Sequence, residues 1–171
     1  MPPERLLPYL LPVWRLIPEP AQWRIMWLLN PKYAVGVTGI VFDADGNVLL
    51  LEHTFRRRFP WGLVSGWIKR DESLVAALHR EVAEETGLTI SIDELFQVRT
   101  DRLHFMVEVV YLCHLEGGTF RPSSEVTAAQ WRDPSDLPAG VHPHHFPLIR
   151  AAARARRLHI AARTLRRVRL S

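Results

Sequence analysis

The residues with the clearest chemistry stand together in Arg80-Glu81-Val82-Ala83-Glu84-Glu85-Thr86-Gly87-Leu88, where three carboxylates fall within five positions. On a helix advancing about 100° per residue, with Leu74 at zero, Glu84, Glu81 and Glu85 lie at roughly 280°, 340° and 20°. Leu74, Leu78, Val82 and Val75 fill roughly 0° to 100°, so the acids crowd one edge of the apolar stripe. Like charges one turn apart repel, and anions in a last turn oppose the helix dipole. A divalent cation reverses the sign of both effects, and grouped carboxylate oxygens suit Mg²⁺, which shares its shell with water and phosphate oxygens. The competing reading is a solvated acidic face in which Arg80 pairs with Glu84 at i,i+4.

The carboxylates need a helix and a loop to position them. Asp71, Glu72 and Ser73 supply helix-start chemistry and Gly87 suits the residue just past a C-cap, which bounds a helix at about Ser73 to Thr86. Gly66 closes a loop entering from Trp61-Gly62-Leu63-Val64-Ser65.

Gly66, five residues, Glu72, seven residues, then Arg80-Glu81-Val82-x-Glu84-Glu85-x-Gly87-Leu88 resembles the Nudix box of the Nudix hydrolases, with nine specified positions filled across 23 residues. The strand pattern extends the resemblance to about residues 33 to 147. One departure is local: Val64-Ser65-Gly66 stands where the family usually has Pro-Gly-Gly, which bears on loop geometry. The resemblance implies an α+β fold, an α/β/α sandwich with a mixed sheet between helices. It further implies Mg²⁺ (or Mn²⁺) held by Glu81, Glu84, Glu85 and the Ser65 carbonyl, with Arg80 orienting Glu81. The general base is then Glu81 or Glu125, the latter placed several residues before Trp131 as in many such sequences. Glu72 is expected near the site, bonding the loop or Arg80 or meeting a metal through water. The implied substrate is a nucleoside diphosphate linked to another moiety, or a nucleoside triphosphate, cut at its diphosphate linkage.

The remaining chain frames this centre. Its 171 residues, 47% apolar and 23% charged, fit one globular domain with additions at each end. We expect an N-terminal extension over 1–31, a catalytic domain over 32–147 and a basic helix over 148–171. Residues 1–31 carry seven of the thirteen prolines with Trp14, Trp23 and Trp27; Pro20 opens a short helix that Asn30-Pro31 closes. Its aromatic surface is expected to pack on the sheet or across a homodimer, with a membrane surface as the alternative. The apolar stretch Leu6 to Trp14 is too short and proline-broken to span a bilayer, no signal peptide is evident, and the lone Cys113 fits a reducing compartment, so a cytoplasmic location is expected.

Tyr33–Phe42 and Val48–Glu52 read as a hairpin about Asp43-Ala44-Asp45-Gly46-Asn47. The loop His53 to Trp61 sets three arginines among aromatics. Arg57 and Phe59 are candidates to grip phosphate and base, against a solvated basic turn. Ile90–Thr100 and Phe105–Glu116 read as strands, with Cys113 on the core parity and His104 and Glu108 facing either a substrate cleft or water. His142, His144 and His145 lack the spacing of a structural zinc site. No acidic residue follows Asp136, while eight arginines from Arg150 to Arg169 make the tail basic. That charge offers nucleic-acid or anionic-membrane contact as an alternative to a purely catalytic role.

Overall fold

The computed structural model describes residue 12 and residues 14–168, with the side chains of 159–168 outside the description. Most of the Leu6 to Trp14 stretch, and the side chains of Arg163, Arg166, Arg167 and Arg169, therefore lie beyond the described residues. Two units are separated by their contacts, Met1–Tyr33 and Ala34–Ser171.

In the first unit, α1 (Glu19–Leu29) opens on Pro18 and Pro20 and stops at Asn30, whose N–H bonds the Met26 carbonyl. Lys32 Nζ donates to the Leu28, Asn30 and Trp27 carbonyls, closing the C-terminal turn with a cation. No residue of α1 is buried, and Trp23 and Trp27 are 69% and 65% exposed.

The second unit runs β1 (Ala34–Phe42), β2 (Val48–His53), β3 (Trp61–Gly62), β4 (Val64–Trp67), α2 (Leu74–Thr86), β5 (Leu88–Asp101), β6 (Met106–Gly118), β7 (Val126–Arg132) and α3 (His145–Val168). The strands form one seven-stranded mixed sheet in the order β3-β2-β1-β6-β5, with β4 paired to β1 and β7 to β2. Among the described strands, β1 and β6 run parallel, register Thr38↔Val110, and the other pairs are antiparallel. Alternation along the central strands sends side chains to two separate cores. Val37, Val41, Val64, Val109, Tyr111 and Cys113 meet Ala77, Leu78 and Val82 of α2. On the opposite face Ile40, Phe42, Leu50, Leu63, Val110 and Leu112 meet Leu148, Ile149, Ala152 and Ala153 of α3. The result is the α+β sandwich expected, with helices on both faces. Among the described residues no helix is long and apolar enough to cross a membrane.

Three features differ from the sequence expectation. The β1–β2 hairpin pairs only at Phe42↔Val48, because β4 occupies the same edge of β1 from Gly36 to Gly39. Trp61 to Ser65, expected as loop, forms β3 and the start of β4; their partners are Leu51, Glu52 and β1, too distant in sequence to be read from local propensity. The last helix begins at His145 rather than after Pro147 and is continuous through Val168.

Two histidines close this unit where strands and helix converge. His53 ends β2 at 2% exposure and His145 begins α3 at 6%. Burial, followed by the charge of Arg56, lowers His53 to about 4 and His145 to about 3. Both are neutral when folded and charged when unfolded below pH 6.5, so the unfolded state binds the extra protons. Their contribution is complete above pH 6.5 and declines as pH falls toward the folded values. Urea unfolding at pH 7 and pH 5 should differ by on the order of 2 kcal/mol for each histidine, and His53→Leu should flatten the dependence.

Candidate active site

The carboxylate helix α2 is fixed at both ends by its own sequence. Ser73 Oγ accepts from the Ala76 N–H at 3.1 Å, and Gly87, at φ 71°, returns its N–H to the Ala83 carbonyl. Leu78 packs against Val64 across Gly39, where a Cβ would stand 3.1 Å from both side chains. These contacts set the rotation of α2 and turn Glu81 and Glu85 toward the β4 side.

Arg80 ties the helix to the loop before it. Its Nε donates to Glu72 Oε1 at 2.7 Å and Nη2 to Glu72 Oε2 at 2.9 Å, a bidentate pair; Nη2 also reaches the Trp67 carbonyl at 3.0 Å. Nη1 donates to Glu81 at 2.7 Å and Glu84 at 3.1 Å. Glu72 in turn accepts from the Lys69 N–H at 2.9 Å. The pair with Arg80, with the Lys69 N–H second, holds the Glu72 carboxyl down at about 2, and the Arg80 guanidinium is raised by Glu72 first and Glu81 next.

Glu81 lies on the backbone of Gly66 so closely that a Cβ there would be 2.0 Å from its Cδ. Glu85, one turn on, is 6% exposed, and its Oε2 is buried without a hydrogen-bond partner. Burial and then Glu81 and Glu125 push its carboxyl up to about 8, against the lowering effect of Arg56. An acid placed there disfavours its own charge.

Ser65, Gly66, Glu81, Glu85 and Glu125 line one cavity of about 1140 Å³. Its lining also includes Trp67, Arg99 to His104, Glu108, Phe55, Arg56, His142, His144 and His145. Glu108 is buried, accepts from Thr38 Oγ1 at 2.5 Å and pairs with Arg99 Nε. His104 is on the wall, its Nδ1 2.7 Å from Asp101 Oδ2.

The structure thus brings Ser65, Glu81, Glu85, Glu125 and His104 to one cavity. It sets Glu84 on the outer edge, 55% exposed and shared by Arg80 and Lys69, and gives Glu72 to the Arg80 clamp outside the wall. Arg57 and Phe59 do not line the cavity. Phe55 and Arg56 do, because Arg56 crosses β3 directly over Gly62 while Phe59 sets its edge on His142 from behind, ring centres 6.0 Å apart. Arg99 and Trp67 carried no motif in the sequence; the pairing Arg99↔Glu108 follows a strand with three register shifts, which period-two reading cannot track.

The donor set fits a hard divalent cation in kind: carboxylate oxygens, one of them buried and unpartnered, whose mutual repulsion a cation relieves. Among the described residues, however, no three His, Cys, Asp or Glu side chains are gathered as a ligand cluster. Arg80 accounts for this, since it holds both Glu81 and Glu84.

Comparison with known proteins agrees with this geometry. The NUDIX domain matches residues 32–152. A MutT-like protein of Streptomyces ambofaciens is 35% identical over 107 residues, 63% of this chain and 68% of the relative. The NAD-capped RNA hydrolase NudC of Vibrio atlanticus is 30% identical over 95 residues, 55% of this chain but only 35% of the longer relative. An ADP-ribose pyrophosphatase of Streptococcus suis superposes with a TM-score of 0.58 at 27% identity, covering 71% of this chain and 92% of that one.

Because Gly66 leaves no room for a side chain beside Glu81, Gly66→Ala should swing that carboxylate away with the fold intact. Titration with Mn²⁺ followed by electron paramagnetic resonance should show affinity weakened by about tenfold or more.

Proposed function

The chain belongs to the Nudix hydrolase family, and we propose that it hydrolyses the diphosphate linkage of a nucleoside diphosphate derivative or nucleoside triphosphate with Mg²⁺ or Mn²⁺ as cofactor. The observation that carries this reading is the convergence of Glu81, Glu85 and Glu125 on one cavity, with a buried, unpartnered oxygen on Glu85. The family membership and the relatives that cleave nucleotide pyrophosphates support it. A cavity of about 1140 Å³ is generous for a small ligand and leaves room for groups on both sides of a diphosphate.

In this reading Glu81, Glu84, Glu85 and the Ser65 carbonyl hold the cation. A cation held there would supply charge neutralisation for the phosphates and a lowered pKa for a water. Glu85 contributes its buried oxygen from the cavity floor, and Gly66 lets Glu81 lie flat on the loop beside it. Arg80 is a positioning residue, keeping Glu81 and the Trp67 carbonyl in one frame through Glu72. We assign proton acceptance to Glu125: it lines the cavity within electrostatic reach of Glu85, and among the described residues its carboxylate has no hydrogen-bond or ion-pair partner. Glu81, held by Arg80, is the less available base. Arg56 and Arg99 place positive charge where the substrate's phosphates enter.

A panel of nucleotide substrates with Mg²⁺ and Mn²⁺ tests this. Glu125→Gln should lower kcat by roughly 10²–10⁴-fold while cation affinity is kept, whereas Glu85→Gln should lose both turnover and cation binding with an unchanged circular dichroism spectrum. Turnover of Glu85→Gln equal to that of the parent would refute the assignment.

A further inference from the structure

Arg56 is a cation that the carboxylate site does not explain. It leaves the basic loop, and its Nη1 passes so close over β3 that a Cβ at Gly62 would be 2.2 Å away, with His145 the next neighbour at 3.1 Å. That nitrogen is buried and has no hydrogen-bond partner. Among the described residues Arg56 makes no ion pair, although Glu85 lies within electrostatic reach. A guanidinium cannot shed its charge, so a buried, unpaired N–H remains an unmet demand for an anion.

A second unpartnered nitrogen belongs to a residue lining the same cavity. His142 Nδ1 is also buried without a partner. Its backbone is fixed beside Arg56: the His142 N–H donates to the Trp61 carbonyl at 2.9 Å, and the Trp61 N–H donates to the Gly140 carbonyl at 3.1 Å. The ring is held by His144, stacked at 5.3 Å, by His145 at 5.4 Å and by the edge contact with Phe59. Arg99, anchored by the buried Glu108, adds charge to the same wall and lies close enough to act on His142. Arg56, which has no ion pair among the described residues, and His142 thus bring unpartnered nitrogens to the lining of one cavity, with Arg99 close enough to act on His142, and this describes a site for an anion rather than a solvated turn.

We propose that Arg56 and His142 form a phosphate subsite that takes a phosphate lying beyond the scissile linkage, so the preferred substrate carries one more phosphate than the bond being cut requires. This rests on the hydrolytic reading for its place in the reaction, but the binding step stands without it. The phosphate is either the third of a nucleoside triphosphate or one carried by the moiety linked to a nucleoside diphosphate. Arg56 supplies a charged fork, and His142 supplies a donor in the tautomer that carries its proton on Nδ1.

The test begins with inorganic phosphate and the metal-free protein in EDTA, followed by calorimetry. The parent chain should bind phosphate, Arg56→Gln should weaken binding by about tenfold or more, and Arg58→Gln, which alters an exposed arginine of the same loop, should bind as the parent does. Arg56→Gln should not lower the unfolding temperature, since it removes a buried charge without a partner, and phosphate should raise that temperature only where Arg56 is present. Two kinetic arms then separate the sources: a nucleoside triphosphate against its diphosphate, and a nucleoside diphosphate sugar against the same compound phosphorylated on the sugar. The subsite predicts a kcat/KM preference for the extra phosphate in one arm, lost in Arg56→Gln and kept in Arg58→Gln. Phosphate binding that is absent from the parent chain, or equal in Arg56→Gln, overturns the proposal even if hydrolysis is robust. A chain that hydrolyses no nucleotide but binds phosphate through Arg56 overturns the hydrolytic reading and upholds the subsite.

Discussion

The guanidinium of Arg80 holds the catalytic half of this fold together. From one side chain it reaches Glu72, the Trp67 carbonyl, Glu81 and Glu84, joining the end of β4, the loop that follows and the last turns of α2. Without that charge three acids would face one another on a helix whose dipole already disfavours them. With it, the loop from Trp67 to Ser73, whose Ile68 packs on the core, is fixed to the helix by bidentate and backbone contacts. The clamp is also selective. It engages Glu81 and Glu84 but leaves Glu85 alone on the inner side, so one acid is buried uncompensated while its neighbours are neutralised.

Close approach is the second constraint, and glycine provides it twice. At Gly66 the missing side chain admits Glu81 against the β4 backbone; at Gly62 it admits Arg56 across β3. The two positions are four residues apart on strands that the sheet holds by pairing with β1 and β2. An acid and a cation are thereby brought to the same cavity without meeting as an ion pair. Rigid strands beneath both make the separation durable, as a loop would not.

The helix end was legible because its information is local: an N-cap serine, a left-handed glycine and charges at helical spacing all fall within one short segment. The two-faced sheet was legible from alternation, which put Cys113 with Val109 and Tyr111 as the structure does. What the sequence hid depends on long-range register. Nothing near Trp61 announces that it pairs with Glu52 and bridges Val141, yet this places His142 and His145 beside Arg56. The loop His53 to Trp61 was marked as a substrate contact by composition, but which of three adjacent arginines turns inward is decided by Gly62, on another strand. Arg99 was hidden for a related reason, since bulges in β5 shift its register against Glu108.

The polarity of the cavity follows from these placements. Glu81, Glu85 and Glu125 arrive from α2 and from the segment before β7, Glu108 and Asp101 from β6 and β5 beside Arg99, and Arg56, His142, His144 and His145 from the loop after β2 and the approach to α3. The histidines there do not add fixed charge: burial and the two arginines keep His142 and His145 below their ordinary value, and His145 Nδ1 accepts from the Leu63 N–H. A wall built from fixed guanidinium charge and neutral imidazoles keeps its attraction for anions across the physiological pH range, whereas a wall of charged histidines would lose it near neutrality. The same neutrality limits the pull on Glu85, whose carboxyl is left to burial and to its acidic neighbours rather than being drawn into a salt bridge. The cavity therefore holds Glu85 and Arg56 in one lining without an ion pair between them, an arrangement suited to a ligand that is itself anionic and is met by a cation.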